Sequence, residues 1–198
     1  MYSVVKKAIF VKNHFVSAMR IIKEDTGAVV IDIQERLLPH IFQWEQTLQN
    51  CLKMLEGLKV LSVPVIVTQQ YTRGLGPTDA SVVNKITPFI HIEKNSFSCY
   101  GEPVFRERLA KTGRKNIILF GIESHVCVLQ TCLDLLEAGY LPVVVEDCIS
   151  SRKMSDKVTA VERMRQEGAR ISTLESILFE LTQCAGTETF KLISKIVK

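Results

Sequence analysis

Three side chains of this sequence follow apolar runs and carry groups that take part in chemistry: Asp32, Lys94 and Cys127. In an open parallel sheet, ligands bind beyond the carboxyl ends of the strands, so polar residues at those ends indicate function. A thiol, a carboxylate and an ammonium in one crevice would form an activated nucleophile with its own acid–base partner. Composition and periodicity alone do not show that the three groups converge.

Asp32 and Lys94 each allow two interpretations. Asp32 lies inside the run Val-Val-Ile-Asp-Ile, where a carboxylate is costly unless a nearby group favours its charge. It is either a base or charge partner in a cleft, or a capping and loop hydrogen-bonding group at a strand end. Lys94 is either a solvated surface charge or an ammonium that points into the cleft and keeps Asp32 ionised.

Cys127 has the more distinctive setting. Ser124 is a good N-cap residue, which predicts that a helix begins there and that Cys127 is its third residue. At that position the helix dipole and the unpaired backbone N–H groups favour the thiolate, and they could also stabilise a developing oxyanion. Cys132 lies further along the same helix among Leu and Val residues, which is typical of core packing.

The remaining sequence predicts the elements that position these groups. Apolar runs predict strands at 28–33, 65–68, 89–92, 116–120, 141–145 and 169–172. Apolar spacing and end signals predict helices at 43–62, 103–112, 124–138, 155–167, 174–183 and 187–197, and a loop at 71–88. Short connections between alternating strands and helices are typical of a parallel sheet covered on both faces. We therefore predict one α/β domain over residues 27–198, preceded by a basic arm or first helix over residues 1–26.

The charge distribution argues against nucleic acid as a partner. The formal net charge is +4, but residues 1–23 carry five basic and no acidic residues, which leaves the rest of the chain at −1. Nucleic-acid binding normally needs a basic stripe, which a nearly neutral body lacks. The basic N-terminus is either an organellar transit segment or an ordinary arm of the domain. Apolar runs are too interrupted to span a bilayer, so we expect a cytoplasmic protein without a membrane partner.

Six cysteines are irregularly spaced and include no C-x-x-C pair, which favours reduced thiols over disulfides. Zinc needs three or four N, O or S ligands at compatible spacing, and the sequence shows no such set. We therefore expect no metal and no other cofactor.

Three ordered motifs resemble the isochorismatase-like cysteine hydrolase superfamily. They are Asp32-Ile33-Gln34, the stretch from Glu93-Lys94 to Phe97-Ser98, and the stretch from Gly121 to Val128. The resemblance covers about residues 27–180. It implies a three-layer α/β sandwich whose six-stranded, mostly parallel, Rossmann-like sheet has the order 3-2-1-4-5-6.

The resemblance also implies roles for individual residues. Cys127 would be the nucleophile, Asp32 the acceptor of its proton and Lys94 the cation that organises both. A cis peptide at Ile122–Glu123 would aim the N–H of Glu123, with that of Cys127, at the substrate oxygen as an oxyanion hole. Leu37, Gln70, Tyr71 and Phe97 are candidates to line the substrate pocket.

The chain departs from the family pattern at two places, and these departures argue against a metal site and against a catalytic His. Nicotinamidases of this superfamily bind a metal through Asp-x-His after the second strand, where this chain has Gln69-Gln70-Tyr71-Thr72. Ser124-His125 replaces the commoner Thr-Asp, and a Cys–His dyad with His125 is disfavoured because His125 stands two residues before Cys127 at a helix start. The chain is most similar to the metal-free isochorismatase domain-containing proteins, which implies a homo-oligomer.

The expected activity is hydrolysis of a small amide- or carbamoyl-type C–N bond through a covalent, thioester-like intermediate on Cys127. One alternative is a binding or scaffold protein that keeps the hydrolase fold without turnover. Another is a redox-responsive thiol protein in which Cys99 pairs with Cys127.

Overall fold

The structure is a computed structural model that describes residues 19–198. Its six strands are β1 Thr26–Ile31, β2 Val65–Gln70, β3 His91–Lys94, β4 Asn116–Ile122, β5 Leu141–Ser150 and β6 Arg170–Ser172. Its α-helices are α1 Trp44–Val60, α2 Thr72–Leu75, α3 Ala80–Lys85, α4 Pro103–Thr112, α5 Leu129–Glu137, α6 Met154–Gln166, α7 Leu174–Thr182 and α8 Glu188–Val197.

The strands form one sheet in the order β3-β2-β1-β4-β5-β6, and every neighbouring pair is parallel. Helices α1, α7 and α8 pack against one another, and α5 packs against α6, with both groups contacting the sheet. All residues of β1 and β4 are buried, as continuous apolar strands in the middle of a covered parallel sheet should be. The predicted α/β fold and strand order are confirmed.

The predicted loop at 71–88 is wrong in part, because it contains the short helices α2 and α3. Helix α3 begins after Asp79, whose carboxylate accepts the backbone N–H of Ser81 as an N-cap. The pair of glycines and the pair of prolines in this segment obscured that signal in the sequence. The other predicted helices and strands are present, with ends displaced by a few residues.

The predicted N-terminal arm lies mainly outside the described residues, because the structure describes nothing before residue 19. Ile21 is buried in the core and its N–H donates to the Glu180 carboxylate at 2.8 Å. Thr26, which the sequence assigned to the end of the arm, is the first residue of β1. Within residues 19–198, no helix is both long enough and apolar enough to cross a bilayer.

Gly121 allows a close approach between the two central strands, β1 and β4. It pairs with Ile31 at the end of β1 and has φ of 122°, in the region that favours glycine. A Cβ atom at this position would overlap the carbonyl oxygen of Ile31. The close contact therefore fixes the distance between the end of β1, where Asp32 follows, and the end of β4, which leads to Cys127.

Replacing Gly121 by Ala is expected to lower the free energy of unfolding by about 3 kcal/mol, because backbone cannot move away as a flexible side chain can. Urea denaturation measures the change. Gly113→Ala is the matched control, since Gly113 also has a positive φ but its Cβ would meet no atom within 4 Å. The control should lose only about 1–2 kcal/mol, the cost of the left-handed backbone conformation. Equal losses in both variants would contradict the proposed contact.

Candidate active site

The carboxyl ends of β1, β3 and β4 place the three predicted groups at one edge of the sheet. The strand order reverses between β1 and β4, which is where open α/β sheets form a crevice. Asp32 follows β1, Lys94 ends β3, and Cys127 lies in the turn after β4.

Asp32 and Lys94 form a buried ion pair. Lys94 Nζ lies 2.7 Å from Asp32 Oδ2, and both side chains are 0% exposed. Asp32 has φ of 52°, a left-handed conformation that Asp tolerates better than most residues. An ammonium without solvent is stable only when its hydrogens have acceptors and its charge has a partner.

The ammonium of Lys94 has acceptors for all three hydrogens. Besides Asp32, it donates to Gln70 Oε1 at 2.5 Å and to the Phe97 carbonyl at 3.0 Å, with the Ser96 carbonyl further away at 3.3 Å. Burial is the largest single influence and lowers the pKa of Lys94, but the Asp32 charge, together with smaller contributions from Cys99, Cys127 and the hydrogen bond to Asp32, raises the pKa above its ordinary value. Lys94 therefore carries its charge throughout the neutral range.

The second carboxylate oxygen of Asp32, Oδ1, accepts a hydrogen bond from β2. Thr68 Oγ1 donates to Asp32 Oδ1 at 2.8 Å, and the Cys99 thiol lies 3.6 Å from Thr68 Oγ1. Burial, and then the charge of Asp32, raises the pKa of Cys99 to about 11. Cys99 is thus a neutral, fully buried thiol next to the Thr68 hydroxyl.

Cys127 lies between the Asp32–Lys94 pair and the cavity described below. Its side chain is 6% exposed, and its sulfur lies 3.9 Å from Gln70 Oε1. Burial raises the pKa of Cys127 well above its ordinary range; the Asp32 charge and a hydrogen bond to Asp32 add to this, and Lys94 only partly opposes it. In the resting site, burial therefore opposes the thiolate that the predicted helix start was expected to favour.

The backbone around Cys127 also differs from the predicted helix start. A π-helical turn covers Ser124–Val128 and precedes α5, with extended Glu123 at the capping position. The carbonyl of Glu123 accepts the N–H groups of Val126 and Val128, both at 3.2 Å. Ser124 therefore does not cap the helix: it is the first residue of the turn, Cys127 is the fourth, and the buried Ser124 hydroxyl has no hydrogen-bond partner in the described chain.

Two further features of this turn concern the predicted cis peptide and the disfavoured Cys–His dyad. The Ile122–Glu123 peptide is cis, as the family resemblance implied. His125 Nδ1 lies 2.9 Å from Ser151 Oγ, so the imidazole contacts the residue that follows β5. This contact argues against a Cys–His dyad.

A cavity of about 470 Å³ opens in front of Cys127. Its walls are formed by Arg36, Leu37, His40, Gln70, Gly74, Leu75, Phe97, Glu123, Val126, Cys127 and Arg152. The predicted pocket residues Leu37, Gln70 and Phe97 belong to this wall. Tyr71 does not: it precedes α2 in a left-handed conformation, its ring packs against Gly74, and it is 51% exposed.

Four polar residues of the cavity wall were not predicted: Arg36, His40, Arg152 and the side chain of Glu123. Arg152 Nε pairs with Glu123 Oε1 at 2.9 Å. The Arg residues stand in loops that follow β1 and β5, at the sheet edge where ligands bind, and that position was the signal available in the sequence.

The described chain offers no arrangement of three or more His, Cys, Asp and Glu side chains that could hold a metal ion. Independence from metals stays an expectation.

Comparison with known proteins identifies the family of this chain. The family model for the isochorismatase domain matches residues 26–176. The chain is 38% identical over 183 residues to isochorismatase family protein 1B of Dictyostelium discoideum, covering 90% of this chain and 89% of that protein. It is 36% identical to isochorismatase domain-containing protein 2 of Danio rerio, covering 86% and 87% of the two chains.

Two solved structures have the same fold. The MAR1 ribonuclease of Caenorhabditis elegans superposes with a TM-score of 0.84 at 35% identity, covering 90% of this chain and 92% of that one. The YcaC gene product of Escherichia coli, an octameric hydrolase of unknown specificity, superposes with a TM-score of 0.86 at 22% identity, covering 91% and 90%. The second likeness concerns the fold alone. With the family model spanning most of the chain and relatives above 35% identity matching nearly all of it, this protein belongs to the isochorismatase family of hydrolases.

Proposed function

We propose that this chain is a cysteine hydrolase that cleaves a C–N bond in a small amide- or carbamoyl-type substrate without a metal. The observation that carries the proposal is the position of Cys127, which forms the cavity wall in front of the buried Asp32–Lys94 pair. A cavity of about 470 Å³ suits a small molecule, since such sites measure about 300–1,000 Å³.

The first step forms a tetrahedral intermediate. The sulfur of Cys127 attacks the substrate carbonyl carbon while the thiol proton passes to Asp32. The negative charge that develops on the carbonyl oxygen is stabilised by the backbone N–H groups of Glu123 and Cys127. Asp32 then gives the proton to the substrate nitrogen and the C–N bond breaks. An acyl group remains on sulfur as a thioester, or a carbamoyl group as the corresponding thiocarbamate.

Water completes the reaction. The oxygen of a water molecule attacks the carbonyl carbon of this intermediate, and Asp32 accepts a proton from that water. The C–S bond breaks, the proton returns to the sulfur, and the acid product leaves with the neutral thiol restored. Lys94 keeps its charge in every step and lies close to the negative charge wherever that charge resides.

A raised pKa of the thiol is compatible with this role. The Asp32 carboxylate lies close enough to the thiol to raise its pKa and can take its proton during the attack, so no standing thiolate is needed.

We also infer that the chain is a cytoplasmic homo-oligomer. The octameric YcaC of Escherichia coli, which has the same fold, supports this inference. Phe97, at the cavity wall, is 53% exposed, which suits a pocket rim that a neighbouring subunit covers.

Turnover on a panel of small primary amides and N-carbamoyl compounds tests the activity. We expect release of ammonia or amine, loss of turnover to background in Cys127→Ala, and a decrease of about 10²–10⁴-fold in Asp32→Asn. Rapid acid quenching followed by intact-mass measurement should find an acyl or carbamoyl adduct on Cys127.

Cys132→Ala is the matched control for that experiment, because Cys132 is another buried cysteine of the same segment. The panel includes a single-stranded RNA, because the Caenorhabditis elegans structure is called a ribonuclease. RNA cleavage, or substrate binding without turnover, would each overturn the proposal in favour of a different function.

The pH dependence of alkylation tests the role of Asp32. Because the pKa of Cys127 is raised, its thiol stays protonated in the neutral range, and thiolate arises only by transfer of the proton to Asp32. That transfer leaves the number of bound protons unchanged, so the reaction rate with iodoacetamide should stay nearly level between about pH 6 and about pH 8. The exposed Cys184 is mapped in the same samples as the reference thiol.

Asp32→Asn removes the acceptor and should convert the level profile of Cys127 into one that rises with pH. Peptide mapping by mass spectrometry separates the two cysteines. If Cys127 of the unaltered protein follows the same slope as Cys184, Asp32 is not its proton acceptor.

The buried ion pair should also be visible in stability. Lys94→Met leaves the Asp32 carboxylate without a cation and is expected to lower the free energy of unfolding by about 3–5 kcal/mol. The double variant Asp32→Asn/Lys94→Met should recover much of that loss, because no isolated charge remains. Urea denaturation at neutral pH measures both. Additive losses in the double variant would show that the two charges are not coupled.

A further inference from the structure

The cavity wall carries more positive than negative charge. Its basic residues are Arg36 and Arg152, with His40 beside them, and its acidic residue is Glu123. Asp32 and Lys94 lie behind the wall and neutralise each other. Since Glu123 is already paired with Arg152, the mouth of the cavity keeps the charge of one guanidinium without a carboxylate.

Arg36 is the arginine of the cavity wall that has no carboxylate as an ion-pair partner. Its Nη1 donates to the carbonyl of Gly74 at 3.2 Å, and its side chain lies along Gly76. Its backbone N–H donates to the Leu75 carbonyl at 3.2 Å, which fixes the residue on the cavity wall. Within residues 19–198, no carboxylate lies within ion-pair distance of Arg36, so most of its five N–H groups remain available for a ligand.

Arg152 also keeps donors for a ligand. Its ion pair with Glu123 uses Nε, so the edge formed by its two terminal nitrogens faces no hydrogen-bond acceptor in the described chain. That edge can bind both oxygens of a carboxylate at once, the arrangement in which arginine is most selective. Glu123 in turn precedes the turn of Cys127, so the held guanidinium stays near the reacting sulfur.

Four apolar side chains, Leu37, Leu75, Phe97 and Val126, belong to the same wall as the cationic groups. A charge–charge contact beside apolar side chains is stronger than one in bulk water.

Resting on the proposed function, we propose that the substrate is a small amide or carbamoyl compound that also bears a carboxylate, and that Arg36 and Arg152 bind that carboxylate while the scissile carbonyl meets Cys127. The two arginines determine specificity and take no part in the proton transfers.

Two alkylating reagents that differ only in charge test this inference without knowledge of the substrate. N-(iodoacetyl)glycine ends in a carboxylate, and N-(iodoacetyl)glycinamide ends in a neutral amide of nearly the same shape. The ratio of their rates at Cys127 is compared with the ratio at Cys184 in the same protein, which is exposed and outside the cavity. We expect the ratio at Cys127 to exceed the ratio at Cys184 by about 10- to 100-fold at low salt.

Substitution assigns that preference to the two arginines. Arg36→Gln and Arg152→Gln should each lower the Cys127 ratio by about tenfold, because the ratio cancels any change in the reactivity of the thiol itself. Arg163→Gln, an exposed arginine of α6 away from the cavity, should leave the ratio unchanged. If Arg152→Gln disturbs the turn through Glu123, which a shift in melting temperature would show, Arg36→Gln still decides the question.

The outcomes separate this inference from the proposal on which it rests. Equal ratios at Cys127 and Cys184, unchanged by either Arg substitution, overturn the carboxylate site and leave the nucleophile in place. Failure of both reagents to label Cys127 faster than the buried Cys132 overturns the nucleophile itself.

Discussion

The ammonium of Lys94 has no contact with solvent, and the site depends on how that charge is accommodated. Its hydrogens go to Asp32, Gln70 and the Phe97 carbonyl, which follow or end three different segments of the chain. Any displacement of β1, β2 or the loop after β3 would leave a buried charge without its acceptors, at a cost of several kcal/mol. The strand order β3-β2-β1 brings these acceptors together. The Lys94 ammonium can therefore be buried only if the sheet has this topology.

Much of this arrangement follows from local sequence. Continuous apolar runs predict the central strands, and polar residues at their ends predict Asp32, Lys94 and Cys127, because the carboxyl ends of parallel strands share one edge. What local patterns could not predict is the path of the loops. Gln34 shows why: its fully buried amide accepts the N–H of Gln70 at 2.7 Å and donates to the carbonyls of Gln70 and Gly76.

That tertiary contact joins the segment after β1 to the segment after β2 and sets which side chains face the cavity. It helps to place Arg36 on the wall, whereas the left-handed backbone of Tyr71 directs its ring elsewhere. The start of the turn at Ser124 escaped prediction for a related reason. A Ser before an apolar helix is ordinarily a cap, but here the carbonyl of Glu123 accepts two N–H groups in a π-helical turn, and the hydroxyl is not used.

The neutral thiol and the charged pair behind it form a group whose net charge does not change during the proposed first step. Before the attack, the carboxylate and the ammonium cancel beside a neutral thiol. After proton transfer, a neutral carboxylic acid stands beside a negative reacting centre and the same ammonium. No additional net charge is buried, so the transfer avoids most of the desolvation cost that keeps an isolated thiolate from forming there. Burial, which by itself opposes a reactive thiolate, therefore limits oxidation of the resting sulfur and leaves the internal transfer open.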